Sequence, residues 1–78
     1  MIKEGILVHV PAAVILQKYN IENGSAGSVT DWKTFEAPRA LLVSDISGVA
    51  DHVGVLFQNE TWYIKRTEVY KIDEEFAK

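Results

Sequence analysis

Two apolar runs joined by two polar residues constrain the fold more than any other feature of this sequence. Residues 52–58 carry valine or phenylalanine at every second position, as in a strand buried on one face. Asn59 and Glu60 follow as a two-residue connection, and asparagine tolerates the positive φ of a tight hairpin turn. Residues 61–65 return with β-branched and aromatic side chains, which favour strands. The sequence therefore predicts a β-hairpin in this region.

Shorter patterns of the same kind occur along the rest of the chain. Residues 5–10 alternate cleanly, begin at Gly5 and end at Pro11, which cannot donate a hydrogen bond to a neighbouring strand. The other predicted elements are a strand at 40–43, a turn at 45–48, a polar break at 65–68 and a last short strand at 69–72. Five or six short strands therefore account for the chain, because no segment has the period of a long helix.

Two segments of the first half are harder to interpret. In residues 11–19, a proline followed by two alanines favours a short helix, whereas Val14-Ile15-Leu16 favours a strand after a Pro-Ala turn, and we prefer the strand. Residues 20–37 begin with glycine, asparagine and serine, which are typical of loops. We therefore predict one long polar loop at 20–37, with its second half held against the domain by Trp32 and Phe35.

The order of elements in residues 38–72 resembles the C-terminal half of SH3-like barrels. It comprises Gly54-Val55-Leu56-Phe57, a hairpin turn, Trp62-Tyr63-Ile64, a four-residue break and Val69-Tyr70-Lys71-Ile72. The resemblance implies that the two central strands form the distal hairpin and that one 3₁₀ turn leads to a short closing strand. The fold expected is mainly β, a single small antiparallel barrel or roll of five to six strands. A resemblance of this kind carries fold and not function.

Length and composition are those of one small globular domain. The 78 residues are 47% hydrophobic and 24% charged, so we expect a β-barrel domain at 1–72 and a charged tail at 73–78. The sequence has no cysteine, and a small domain without disulfides favours a cytoplasmic location. No apolar run reaches the roughly 20 residues of a membrane span, and the first residues lack the pattern of a secretory signal.

The sequence carries no recognisable catalytic or metal-binding motif. His9 and His52 are the only side chains whose ordinary pKa is near neutral, and Asp51 would point to the opposite face of a strand from His52. The serines lie in turn-like contexts without a nucleophile elbow, and no histidine pair has metal-ligand spacing. We therefore expect no enzyme activity, no metal and no cofactor.

Two polar features could bind an anion. Gly24, Ser25, Gly27 and Ser28 could form a nest of backbone N–H groups, and Lys65 with Arg66 forms a small basic cluster close to Tyr63. A small anionic ligand or a nucleic acid is therefore the alternative function. The net charge of −3 disfavours nucleic acid, because binding to phosphates depends on positive charge.

The eight aromatic residues give the leading functional hypothesis, since one small domain cannot bury all of them. Tyr63 and Tyr70, with Trp32 or Phe35, are predicted to form an exposed aromatic patch, and aromatic residues are enriched in protein interfaces. This predicts a non-enzymatic protein-binding module, bordered by carboxylates that suit a basic partner. Its size and acidity also fit a phage or mobile-element accessory protein that inhibits a host protein by occluding it. Spare aromatic rings and strand edges favour a homo-oligomer as well.

Overall fold

The computed structural model describes residues 2–22 and 25–72, and within them nearly all regular structure is β-strand. The strands are β1 Leu7–Val10, β2 Leu16–Glu22, β3 Ser25–Lys33, β4 Arg39–Asp45, β5 His52–Phe57, β6 Glu60–Lys65 and β7 Tyr70–Lys71. A short 3₁₀ helix, Arg66–Glu68, connects β6 to β7. The predicted mainly β, antiparallel domain is confirmed. Residues 73–78, predicted to form a charged tail, lie outside the described residues.

All seven strands belong to one antiparallel sheet in the order β3-β2-β6-β5-β4-β1-β7. The described residues thus form seven strands where five or six were expected, and the sheet does not close into a barrel, because β3 and β7 remain its edges. The distal hairpin, the 3₁₀ turn and the short closing strand follow one another in the predicted order. Membership of the SH3-like barrels stays a prediction.

The long polar loop predicted at 20–37 is wrong, because most of these residues form a hairpin of β2 and β3. Glycine and serine are accommodated in β3, an edge strand whose described side chains are mainly exposed to solvent. Gly27 has a packing reason to be in a strand, since a Cβ there would lie 2.7 Å from the backbone oxygen of Asn20. In residues 11–19 the preference for a strand over a helix is confirmed, but the strand begins only at Leu16, after a turn in which Ala13 has a φ of 67°.

The β5–β6 hairpin is confirmed, but its turn lies one residue earlier than predicted. Phe57 pairs with Glu60, so Gln58 and Asn59 are the two turn residues. Their φ angles are 51° and 64°. Positive φ at both central positions defines a type I′ turn, whose twist matches that of the flanking strands.

One face of the sheet, the inner face, forms the core. Its fully buried side chains are aliphatic: Val8, Val10, Leu16, Val43, Val53, Val55 and Ile64. Phe35, Phe57 and Trp62 close one side of this core, with the first two rings edge to face at 5.0 Å between centroids. Two cations cover the rings, Lys33 at 4.3 Å from the centroid of Phe57 and Arg39 at 4.8 Å from that of Phe35.

Candidate interaction surface

The structure separates the four aromatic residues predicted to form one patch. Trp32 and Tyr70 are 69% and 59% exposed, but they lie on the two opposite edge strands, β3 and β7. Tyr63 and Phe35 are only 4% and 6% exposed. The prediction of a patch containing Tyr63 and Phe35 is therefore wrong: Phe35 belongs to the inner-face core, and Tyr63 is covered by side chains from other strands.

Tyr63 lies on the other side of the sheet, the outer face, beneath Tyr19 and Asp45. The rings of Tyr19 and Tyr63 meet edge to face at 5.7 Å between centroids. The Tyr63 hydroxyl donates to Oδ2 of Asp45 at 2.6 Å. Burial and the neighbouring Asp45 carboxylate raise the pKa of Tyr63 well above its ordinary value of 10.0. Tyr63 is thus a structural residue whose polar end is satisfied within the fold.

Asp45 also organises the turn predicted at 45–48. Its Oδ1 accepts from the N–H and the hydroxyl of Ser47, and its Oδ2 accepts from the N–H of Gly48 at 2.9 Å. The hydrogen bond from Tyr63 is the main reason that the pKa of Asp45 lies below its usual 3.8, and the turn bonds lower it further against the effect of burial. The carboxylate is therefore engaged by the fold, and we assign it no ligand.

Gly54 leaves the space that this cluster fills. It pairs with Tyr63 on one side and with Asp45 on the other. A Cβ at Gly54 would lie 3.0 Å from the Asp45 Cβ, the Thr61 Cγ2 and the Tyr63 Cε1. Only glycine fits here without displacing these side chains.

Away from this cluster, the outer face carries most of the exposed large hydrophobic residues that the structure describes. Eight large hydrophobic residues are exposed among those the structure describes. Seven are on the outer face by cross-strand register or by alternation along the chain: Leu7, Ile15, Val29, Trp32, Leu42, Leu56 and Tyr70. Exposed apolar patches on one face of a protein mark interaction sites. On the outer face, these residues form two parts, a row of leucines and the surroundings of a cleft.

The first part is a row of three leucines, which we call the leucine row. Leu7 of β1 pairs with Leu42 of β4, and Leu42 pairs with Leu56 of β5. The three side chains are 52%, 40% and 38% exposed. Thr61 of β6 continues the same line and contacts Ser44 through its hydroxyl at 3.3 Å. The row itself therefore carries no charge.

The second part is a cleft of about 360 Å³ near the start of β2 and the end of β6. It is lined by Ala13, Ile15, Gln17, His52, Lys65 and Glu68. Nδ1 of His52 lies 2.7 Å from the Ala50 carbonyl oxygen, which can only accept, so this nitrogen donates. The rings of Tyr19 and His52 pack with 5.9 Å between their centroids, and the Tyr19 hydroxyl donates to Oε1 of Gln17. These contacts fix the orientation of the His52 ring and of the Gln17 side chain, which are polar walls of the cleft.

The lining of the cleft combines the apolar side chains of Ala13 and Ile15 with the charged side chains of Lys65 and Glu68. Ile15 is 55% exposed, and Trp32 stands across from Gln17 in the neighbouring strand. Lys65 forms no ion pair with any described residue. The one salt bridge among the described residues joins Lys18 to Glu60. An apolar side chain and a carboxylate of a ligand could therefore be held side by side.

The alternative anion-binding residues have different outcomes. Gly27 and Ser28 lie in strand β3, so they do not form a loop nest. Ser25 begins that strand, and Gly24 lies outside the described residues. Lys65 lines the cleft, whereas Arg66 begins the 3₁₀ helix and donates its backbone N–H to the Asp51 carbonyl oxygen. The predicted glycine-serine nest is therefore wrong for Gly27 and Ser28.

Sequence reasoning misses the leucine row and Ile15. Alternation in residues 5–10 does place Leu7 opposite Val8, but only the register of β1, β4 and β5 aligns the three leucines. The pattern of residues 14–16 indicates a strand, yet Ile15 precedes β2 and lines the cleft.

Residues 2–22 and 25–72 contain no group of three or more acidic or histidine side chains arranged to hold a metal. In these ranges there is also no helix with the length and hydropathy needed to cross a bilayer. Comparison of the chain with protein-family models, with curated proteins and with solved structures finds no match.

Proposed function

We propose that this chain is a non-enzymatic protein-binding module that engages its partner at the cleft end of the outer face. The observation that carries the proposal is the concentration of exposed large hydrophobic residues on one side of the sheet, next to a cleft with oriented polar walls. Binding sites typically combine an apolar surface with a few polar groups that fix orientation. Occluding a partner protein requires only such a surface, and an inhibitory role is part of the proposal.

The cleft favours one kind of partner, an extended peptide segment with an apolar side chain next to an acidic one. Ile15 and Ala13 form the apolar contact, and the ammonium group of Lys65 is available to a carboxylate. Glu68 accepts from a backbone N–H of the segment, and its charge rejects a second carboxylate on that side. Trp32 extends the apolar contact beyond the cleft, because it lies beside Gln17.

Selection from a displayed library of random peptides tests this proposal, because the protein itself then chooses the sequences that bind. Selected peptides are titrated by fluorescence anisotropy against the wild type, Ile15→Ser and Lys65→Gln. Val29→Ser is the control, since Val29 is 42% exposed on the same face but does not line the cleft. We expect selected peptides to carry an apolar-acidic pair. Both cleft variants should weaken binding about tenfold, which corresponds to about 1.4 kcal/mol.

The salt dependence of the same titration separates this mode from binding to a polyanion. A single Lys65–carboxylate contact changes affinity only modestly between about 50 and 200 mM salt, whereas multiple phosphate contacts would lower it by orders of magnitude. Peptides whose binding is as sensitive to Val29→Ser as to Ile15→Ser would overturn the proposal.

A further inference from the structure

We infer that the leucine row is the interface of a weak homodimer, with the outer faces of two copies stacked on each other. This goes beyond the proposed function and uses other residues, because the leucine row lies on β1, β4 and β5 whereas the cleft is formed around β2 and β6. The occupant is a second copy of this chain, for three reasons taken in turn.

The first reason is that the leucine row is complementary to itself. In one arrangement, the two-fold axis lies between the two stacked faces, at the position of Leu42, and runs parallel to the strands. This axis places Leu42 over Leu42 and Leu7 over Leu56 of the second copy. A two-fold axis along the row places each leucine over its own counterpart. Both arrangements stack leucine on leucine, and an isologous interface requires this kind of self-complementarity. The uncharged row also brings no like charges together.

The second reason is the area available. Leu7, Leu42, Leu56 and Tyr70 are 52%, 40%, 38% and 59% exposed. At roughly 200 Å² for a fully exposed large residue, these fractions amount to about 400 Å² per copy. Both copies together thus contribute about 800 Å² from these four residues, about two-thirds of the roughly 1,200 Å² at the lower end of the range for specific interfaces, and polar neighbours on the outer face supply the rest. An interface of this size suits a weak dimer.

The third reason is that Tyr70 and His9 extend the row with two neighbouring aromatic rings. They pair across β1 and β7, with their rings 6.2 Å apart, and His9 faces outward between the buried Val8 and Val10. Tyrosine is enriched at interfaces because its ring is apolar and its hydroxyl is polar. The dimer surface therefore reaches from the β7 edge to the middle of the sheet.

Pairing through the free edge of β3 is a competing route to a dimer, and the structure disfavours it at one position. The carboxylate of Asp31 accepts the backbone N–H of Trp32 at 2.8 Å. That donor is thereby occupied, and charged side chains on an edge oppose the addition of another strand. Stacking of the outer faces does not require this donor.

Sedimentation velocity from about 5 µM to 1 mM protein tests the inference, with an expected dissociation constant of about 10–100 µM for so small an interface. The variant is Leu42→Lys, and the control is Val29→Lys, at a residue of almost equal exposure outside the row. We expect the wild type and the control to double in mass with rising concentration. Leu42→Lys should weaken association more than tenfold, because the substitution occurs twice in each dimer.

Near-UV circular dichroism and urea midpoints show whether each variant is folded, and Leu56→Lys replaces Leu42→Lys if that variant does not fold. A wild type that stays monomeric up to about 1 mM overturns the inference, since the expected dissociation constant lies well below this concentration. So does a dimer equally weakened by both lysine variants, or weakened by Val29→Lys alone. Because Ile15 and Lys65 lie outside the row, their variants test peptide binding alone, and failure of the proposed function is distinguishable from failure of the dimer.

Discussion

Replacing Tyr63 with phenylalanine removes one hydroxyl and leaves the packing of the ring in place. That hydroxyl donates to the Asp45 carboxylate at 2.6 Å, and Tyr63 as a whole is only 4% exposed. A hydrogen bond to a charged group contributes about 1.5–3 kcal/mol to stability. Asp45 keeps its bonds to Ser47 and Gly48 in the variant. We therefore expect a loss near the lower end of this range, about 1.5–2 kcal/mol.

The expected loss is a large share of the total, because a domain of this size is stable by roughly 4–12 kcal/mol. For such a domain about 1 kcal/mol changes Tm by about 4–8 °C, so Tyr63→Phe should lower Tm by roughly 5–15 °C at neutral pH. Urea unfolding followed by circular dichroism measures the same difference directly. Tyr70→Phe is the matched control: Tyr70 is 59% exposed and its hydroxyl makes no hydrogen bond with the described residues, so we expect a change below about 0.5 kcal/mol.

The difference between wild type and Tyr63→Phe should also depend on pH. The pKa of Asp45 is lower in the folded protein than its ordinary 3.8, mainly because of the bond from Tyr63. The stability linked to this shift is present above about pH 4 and is lost as the pH falls through the folded pKa. The pKa of Tyr63 is raised, so its contribution is present below about pH 10 and is lost at more alkaline pH. This reasoning would be refuted if the two proteins differed in free energy of unfolding by the same amount at about pH 7 and about pH 2.5. A Tyr63→Phe variant as stable as the wild type would refute it as well.

Three further variants test other features. Gly54→Ala should cost about 1–3 kcal/mol in urea unfolding, because its Cβ meets three packed atoms, and a neutral result would show that the cluster can relax. Gln58→Asn with Asn59→Gly should stabilise the protein by about 0.5–1 kcal/mol, since Asn-Gly suits a type I′ turn; destabilisation would contradict the turn assignment. Trp32→Phe should remove most of the iodide-quenchable tryptophan fluorescence and leave that of the buried Trp62, whereas an unchanged quenchable fraction would place Trp32 inside.

The sequence predicts those parts of the fold in which local pattern and tertiary environment agree. The period of two in residues 52–58 and the turn-forming Asp45 are found where they are expected. The β5–β6 turn lies one residue from its predicted place because asparagine fits either turn position, and only the pairing of Phe57 with Glu60 decides between them. Strand propensity predicts that a hairpin forms here, while the pairing register of its two strands determines which residues form the turn.

The β2–β3 hairpin and the candidate site could not be obtained in the same way. Glycine and serine in β3 have loop propensities, and the strand exists because β2 supplies hydrogen-bonding partners for it. Alternation correctly places Tyr63 on the opposite face from Trp62, but the side chains that cover it come from β2 and β4. The leucine row likewise depends on three strands distant in sequence, and a single sequence does not specify their register.

The attachment of β2 to the rest of the sheet has a consequence for how the molecule opens. In the part of the chain that the structure describes, the backbone of β2 pairs with β6 at one register position, Gln17 opposite Tyr63, and the pairing of β2 with β3 shifts in register near Tyr19. Side-chain contacts of Leu16, Lys18 and Tyr19 hold the base of the hairpin to the sheet, so the part beyond Tyr19 can open as a unit at a lower free energy than global unfolding. The amide protons of this part should exchange with deuterated solvent together, and well before those of the six-residue pairing between β5 and β6.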